Sequence, residues 1–231
     1  MGRASFFPSG AARDIILCMT LSRLMPALLA LSLAAQTPPA IENDQVRVLV
    51  VTDQPKHKSA LHEHKVNRVM IYLDAGTDRI TYEDGHVEDL KFHANEVRWS
   101  PAGGKHTSEN IGERPLHIIE VELKNTGGPF QPPALDTLKL WPGFFRVPID
   151  NRQVRVLVAR IPAKQQLAFH EHTLNRVLVN LTDQHFRVID ESGKAVEISA
   201  KAGGVHWAKP NKHTEENLSD QTFEGVVVEL K

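Results

Sequence analysis

The sequence predicts an all-β protein built from two tandem repeats. Three observations carry this prediction. A thirteen-residue stretch recurs: Leu61–Leu73 reads LHEHKVNRVMIYL and returns at Phe169–Leu181 as FHEHTLNRVLVNL. Both copies break into short strand-like runs separated by turn residues, and neither holds a long helical period.

The chain has 231 residues, is 41% hydrophobic and 24% charged, and carries a net charge of -1. That length supports one large or two small domains with cores of their own. The near-neutral balance offers no electrostatic footprint for nucleic acid, so no nucleic-acid partner is expected.

Residues 1–35 read as a leader. Leu24–Ala35 (LMPALLALSLAA) is an apolar run preceded by Arg23, and Ser32-x-Ala34 fits a cleavage site. Asp14 lies in the mixed segment before it, so translation is expected to start at Met19. The run is shorter than the roughly 20 residues that span a bilayer, and no stable membrane span is expected once it is removed. Export to the periplasm or the exterior follows as an expectation. The single cysteine, Cys18, precedes the run, so a mature chain would have no disulfide, no thiol nucleophile and no cysteine-bound zinc.

The first repeat occupies 41–124 and the second 149–231. Ile41–Val50 aligns with Ile149–Val158, and Val121–Lys124 aligns with Val228–Lys231. In the first copy the runs Val46–Val51, Ala60–His64, Arg68–Leu73, Arg79–Glu83, Val87–Phe92, Val97–Ser100 and Leu116–Leu123 read as strands. Asp84-Gly85 marks a tight turn, and Glu191-Ser192-Gly193 replaces it in the second copy. Residues 125–148 match neither copy and form an apolar linker containing Leu138, Leu140, Trp141, Phe144 and Phe145. Such side chains need cover. The linker is expected to pack across the seam between the repeats, with a short helix over the open end of one repeat as the alternative.

The chemistry centres on histidines. His62 and His64 are one residue apart, as are His170 and His172, so on a strand each pair shares a face about 7 Å apart. Two imidazoles so placed bind a metal ion when a third ligand arrives from a neighbouring strand. Downstream, Lys105-His106-Thr107-x-Glu109-Asn110 recurs as Lys212-His213-Thr214-x-Glu216-Asn217. Buried imidazoles bonded to one another or to water are the alternative use of these residues. Six other histidines (His57, His86, His93, His117, His185, His206) lack counterparts and are expected on the surface, with His57 and Lys58 near the mouth of the first repeat. Trp99 and Trp207 are expected in the core.

Together these motifs resemble the cupin superfamily. Its first motif is a His-x-His pair with a glutamate four residues on, and Pro101-x-Gly103-x2-His106-x3-Asn110 matches the heart of its second. The leading glycine of that second motif is Asn95 in the first copy and Gly203 in the second, which has lost the Pro-x-Gly. The resemblance implies a bicupin, two jelly-roll barrels, each with a divalent metal (zinc, iron, copper, manganese or nickel) held by three histidines. The implied ligands are His62, His64 and His106, then His170, His172 and His213. Three protein ligands leave positions open for water or substrate.

The chain departs from the family at the glutamate, where Arg68 and Arg176 stand instead, each preceded by an asparagine. Arginine cannot ligate a metal. It either pairs with a carboxylate, Glu63 or Glu171 being the candidates, or binds an acidic substrate. Glu63 and Glu171 themselves should face away from the histidines.

The expected function is therefore that of an exported bicupin acting on a small polar or anionic molecule through a bound metal, in the manner of an oxygenase or isomerase. The rival readings are a non-catalytic binder of anions or sugar acids, and an interaction protein with idle barrels. A small molecule is the expected partner, with a homodimer as a further option.

Overall fold

The computed structural model describes residues 38–231, so the leader and the Met19 start lie outside the described residues. Residues 41–123 form nine strands: β1 (Ile41–Glu42), β2 (Val46–Asp53), β3 (His62–His64), β4 (Arg68–Tyr72), β5 (Gly76–Tyr82), β6 (Val87–Phe92), β7 (Glu96–Ser100), β8 (Gly103–Asn110) and β9 (Leu116–Leu123). A four-residue helix, α1 (Thr137–Leu140), follows. Nine more strands complete the chain: β10 (Phe145–Asp150), β11 (Val154–Ile161), β12 (Gln166–His172), β13 (Arg176–Asn180), β14 (Gln184–Asp190), β15 (Ala195–Ala200), β16 (Val205–Ala208), β17 (Asn211–Asn217) and β18 (Phe223–Leu230).

In the first half the antiparallel orders are β1-β2-β9-β4-β7 and β3-β8-β5-β6. Raising each label by nine gives β10-β11-β18-β13-β16 and β12-β17-β14-β15, the sheets of the second half. Each half is thus a two-sheet jelly roll. The strand β8 was not foreseen in the sequence. Its inward positions carry His106 and Ser108 rather than apolar side chains, which removes the alternation that betrays a strand.

The two five-stranded sheets share one core. Every residue of β4 is buried, because its faces serve different neighbours. Val69 and Ile71 join Val46, Val48, Ile119 and Val121 from the first half and Val154, Val156, Val177 and Val228 from the second in one apolar cluster. Met70 and Tyr72 point the other way, into the first barrel with Phe92, Leu116 and Ile118. Trp99 and Trp207 pack at the edge of the shared cluster. The repeated asparagines close this seam reciprocally. Asn67 donates to Gln153 Oε1 and Asn175 to Gln45 Oε1, each at 2.6 Å.

Two turn features bear on the site. Asn95 has φ +62° and Gly203 φ +79°, so both repeats need a left-handed residue at the motif's glycine position, which asparagine tolerates. The tight turns at Gly85 and Gly193 are also left-handed.

The linker's large apolar residues do not pack across the seam. Leu138, Trp141 and Phe144 cover the second barrel's interior cluster of Phe145, Leu157, Ala159, Ile161, Leu167, Phe186 and Phe223. The backbone NH of Glu171 donates to Leu135 O at 2.9 Å, which lays the segment against β12. Covering the barrel was the alternative reading, and it wins because the seam is already filled by valines and isoleucines from both sheets. The stretch expected as linker also ends in strand, since β10 begins at Phe145.

Candidate metal centre

The pleat and the register assemble both triads. His62 and His64 lie on β3, and His62 pairs directly with His106 on β8. His170 likewise pairs with His213 on β17. Ring centroids are 4.9, 4.7 and 5.4 Å apart in the first triad and 5.2, 4.3 and 5.5 Å in the second. Within each triad one ring nitrogen per residue lies within 4.8 Å of the others. The third imidazole thus comes from a neighbouring strand in both barrels.

The rings are oriented by the backbone. His62 Nδ1 contacts Ala60 O at 2.8 Å, His106 Nδ1 contacts Gly104 O at 3.0 Å, and His170 Nδ1 contacts Ala168 O at 2.9 Å. A carbonyl accepts only, so each Nδ1 carries the proton and each Nε2 presents a lone pair. Such outer contacts fix the tautomer a metal ligand needs. Burial first, and then Arg68 and the neighbouring imidazoles, push the pKa of His64 down to about 3. Burial likewise leads in lowering His170 to about 4 and in lowering His106 and His172. These rings are accordingly neutral, as ligation requires.

Arg68 and Arg176, expected to touch substrate, are buried and engaged within the protein. Arg68 Nη1 donates to His64 Nε2 at 2.8 Å and to Glu120 Oε2 at 2.9 Å, while Nη2 donates to Ser100 Oγ at 2.8 Å. Its carboxylate is therefore Glu120 on β9, not Glu63, which instead pairs with Lys65 at 3.6 Å. Arg176 donates to Lys209 O at 2.9 Å and to Asn211 Oδ1 at 2.7 Å, and Glu171 pairs with Lys212 at 3.5 Å. Arg176 lacks the acidic partner of Arg68 because Val227 stands where Glu120 does, and burial lowers its pKa to about 10.

The first triad fits a divalent ion. His62 and His106 offer free Nε2 atoms, and Arg68 can release His64 while keeping Glu120 and Ser100, so no unpaired buried charge results. In the second triad His170 Nε2 is buried without a partner, and His172 Nδ1 faces Glu229 Oε1 at 3.4 Å. His213 fits less well. Asn211, its Oδ1 held by Arg176, gives its amide nitrogen to His213 Nδ1 at 3.0 Å, which leaves the ring proton on Nε2 facing Glu215 at 3.7 Å.

Access separates the barrels. The first triad is half-buried and lines a cavity of about 480 Å3 with Asp53, Tyr72, Asp78, Tyr82, Arg98 and Glu120. The second is buried, its cavity is about 90 Å3, and Trp141 stands edge-on to His170 at 5.5 Å. An ion chain ties this cover down. Asp136, which caps α1, pairs with Arg155 at 2.6 Å, Arg155 pairs with Glu229 at 2.6 Å, and Glu229 reaches His172. The six histidines without counterparts, His57, His86, His93, His117, His185 and His206, are all exposed.

Sequence reasoning passed over Glu120, Asp136, Glu215 and Asp78. Comparison of the repeats held a signal for three of them. Glu120 aligns with Val227, Asp78 with Phe186 and Glu215 with Ser108, so each is a charge that one copy does without.

Two tandem jelly rolls with a histidine triad in each define a bicupin. The fold of the described residues is that of the cupin superfamily. Residues 39–128, the first barrel, match the family described as mannose-6-phosphate isomerase C-terminal. Over 74 residues the chain is 32% identical to oxalate decarboxylase OxdC of Bacillus subtilis, a match covering 31% of this chain and only 19% of that protein. Among solved structures, AerE from Microcystis aeruginosa aligns with TM-score 0.58 at 13% identity, over 84% of this chain and 96% of its own. Bacillus subtilis oxalate decarboxylase, a protein with Mn(II) centres, aligns with TM-score 0.53 at 12% identity, over 80% of this chain and 69% of its own. At those identities the structural likenesses establish the fold alone. Among the described residues no helix is long and apolar enough to cross a membrane.

Proposed function

We propose that the first barrel is the working site, a divalent-metal centre that acts on a small polar molecule in the manner of an oxygenase or isomerase, and that the second barrel is a closed scaffold. The observation that carries this reading is the convergence of His62, His64 and His106 on a cavity of about 480 Å3. A metal held by three imidazoles would supply Lewis acidity and open coordination positions for oxygen or substrate. The chain's own part is to fix the tautomers of His62 and His106 through Ala60 and Gly104, and to hold Arg68 against Glu120. Export through the leader at 1–35 belongs to the same reading and is supported by the apolar run Leu24–Ala35.

Non-catalytic binding is the second reading, favoured by one observation. Arg68 occupies the position of the family's glutamate, so a carboxylate that could serve as base is missing there. Its anion-binding form is weakened, because Arg68 already has Glu120, Ser100 and His64 as partners. Metal-loaded full-length protein should be assayed for oxygen uptake and for isomerisation across small hydroxy, keto and amino compounds. Metal-dependent turnover that disappears in His106→Ala supports the enzyme. Saturable binding without turnover of any bound compound supports the binder.

A further inference from the structure

The first cavity contains a carboxylate that neither the fold nor the triad uses. Asp78 on β5 is 5% exposed, lines the cavity, and its Oδ1 has no hydrogen-bond partner. Asp78, Ile80 and Tyr82 are the inward positions of β5. In register with β8, Tyr82 lies opposite His106 and Asp78 opposite Asn110. Asp78 is therefore about 13 Å along the strand from the level of the triad.

The second barrel shows what the fold itself wants there. Phe186 occupies the same register, opposite Asn217, and is 1% exposed within an apolar cluster. An apolar residue fits, whereas a buried carboxylate without a partner is costly. The other charges lining the cavity strengthen the contrast. Arg68 is held by Glu120 and Arg98 by Glu96, while Asp53 and Glu88 form no ion pair among the described residues. Away from the triad the cavity thus presents acceptors and no free cation.

We propose that Asp78 anchors the end of the bound molecule remote from the triad, and that this end carries hydrogen-bond donors, an amine or hydroxyls, rather than a carboxylate. The proposal rests on the metal reading only for the near end of the ligand. A coordination bond and a hydrogen bond leave a span of roughly 8 Å between the ligand's two contacting atoms, the length of an extended chain of about seven atoms with both ends included.

The test uses three probes that share a carboxylate for the near end and differ at the other: 5-aminopentanoate, 5-hydroxypentanoate and glutarate. Binding to metal-loaded full-length protein is measured by calorimetry, in parallel with Asp78→Asn. The expected result is that the amine and the alcohol bind at least tenfold more tightly than glutarate. Asp78→Asn should lose that preference while keeping its metal and melting no lower than the parent. Glutarate binding as tightly as the amine, a preference unchanged in Asp78→Asn, or no binding of any probe would overturn the proposal. The two readings fail separately. Protein without metal that keeps an Asp78-dependent preference contradicts the metal centre alone. Metal-loaded protein without the preference contradicts the anchor alone.

Discussion

Arg68 Nη1 lies 2.8 Å from His64 Nε2, so the residue at the position of the family's glutamate holds the lone pair of one imidazole of the candidate metal triad. The second barrel reaches the same end by another route, with Arg176 fixing Asn211 and Asn211 donating to His213. Arginine in this position would therefore compete with a metal for an imidazole rather than add a ligand.

Replacing Arg68 with glutamine should consequently tighten metal binding. The longer guanidinium that reaches His64 and its positive charge are both removed, and outer contacts of this kind shift metal affinity by about 10–100-fold. Competition against a fluorescent chelator checks this. Weaker binding in Arg68→Gln would mean that Arg68 orients His64 for the metal instead.

Asp78 should make the protein more stable in mild acid. Burial first, then Asp53 and Glu120, raise its pKa to about 6, against 3.8 for the free side chain. The folded state holds this proton more tightly than the unfolded state, so the group's destabilisation is full above pH 6 and is relieved as pH falls toward 4. The effect is on the order of 2–3 kcal/mol. Denaturant melts between pH 4.5 and 7.5 should show a slope that Asp78→Asn reduces, with the variant the more stable of the two at pH 7.5.

Trp141→Ala should unseal the second barrel. Removing a large aromatic side chain that covers an apolar cluster costs about 2–4 kcal/mol. It should also speed the reaction of His170, now fully buried, with an imidazole-modifying reagent. A variant melting like the parent, with His170 still protected, would show that the cover does not depend on Trp141.

Arg155→Ala should be among the most destabilising changes outside the apolar cores. Asp136 and Glu229 are both buried and both depend on this guanidinium. Stranding buried carboxylates costs about 3–5 kcal/mol. Adding Asp136→Asn and Glu229→Gln should recover part of the loss, which thermal melts can follow.

Much of this was legible because strands advertise themselves by alternation and repeats by recurrence. The pairs His62/His64 and His170/His172 had to share a face, and the tandem architecture followed from the 108-residue offset between His62 and His170. What stayed hidden depends on strand order. Glu120 is 52 residues from Arg68, and only the β4–β9 pairing brings them together. β8 was missed because a ligand-bearing face is polar where a core strand is apolar. The linker's destination stayed open between the seam and one barrel's end, because its aromatic residues show that they need cover without showing which apolar surface provides it.

The most direct test of the account is the metal content of full-length protein purified without affinity tag or chelator, beside His62→Ala/His64→Ala and His170→Ala/His172→Ala variants. The account predicts about one equivalent of divalent metal, lost in the first variant and kept in the second. No metal even after reconstitution, or metal lost only with the second-barrel pair, would contradict it.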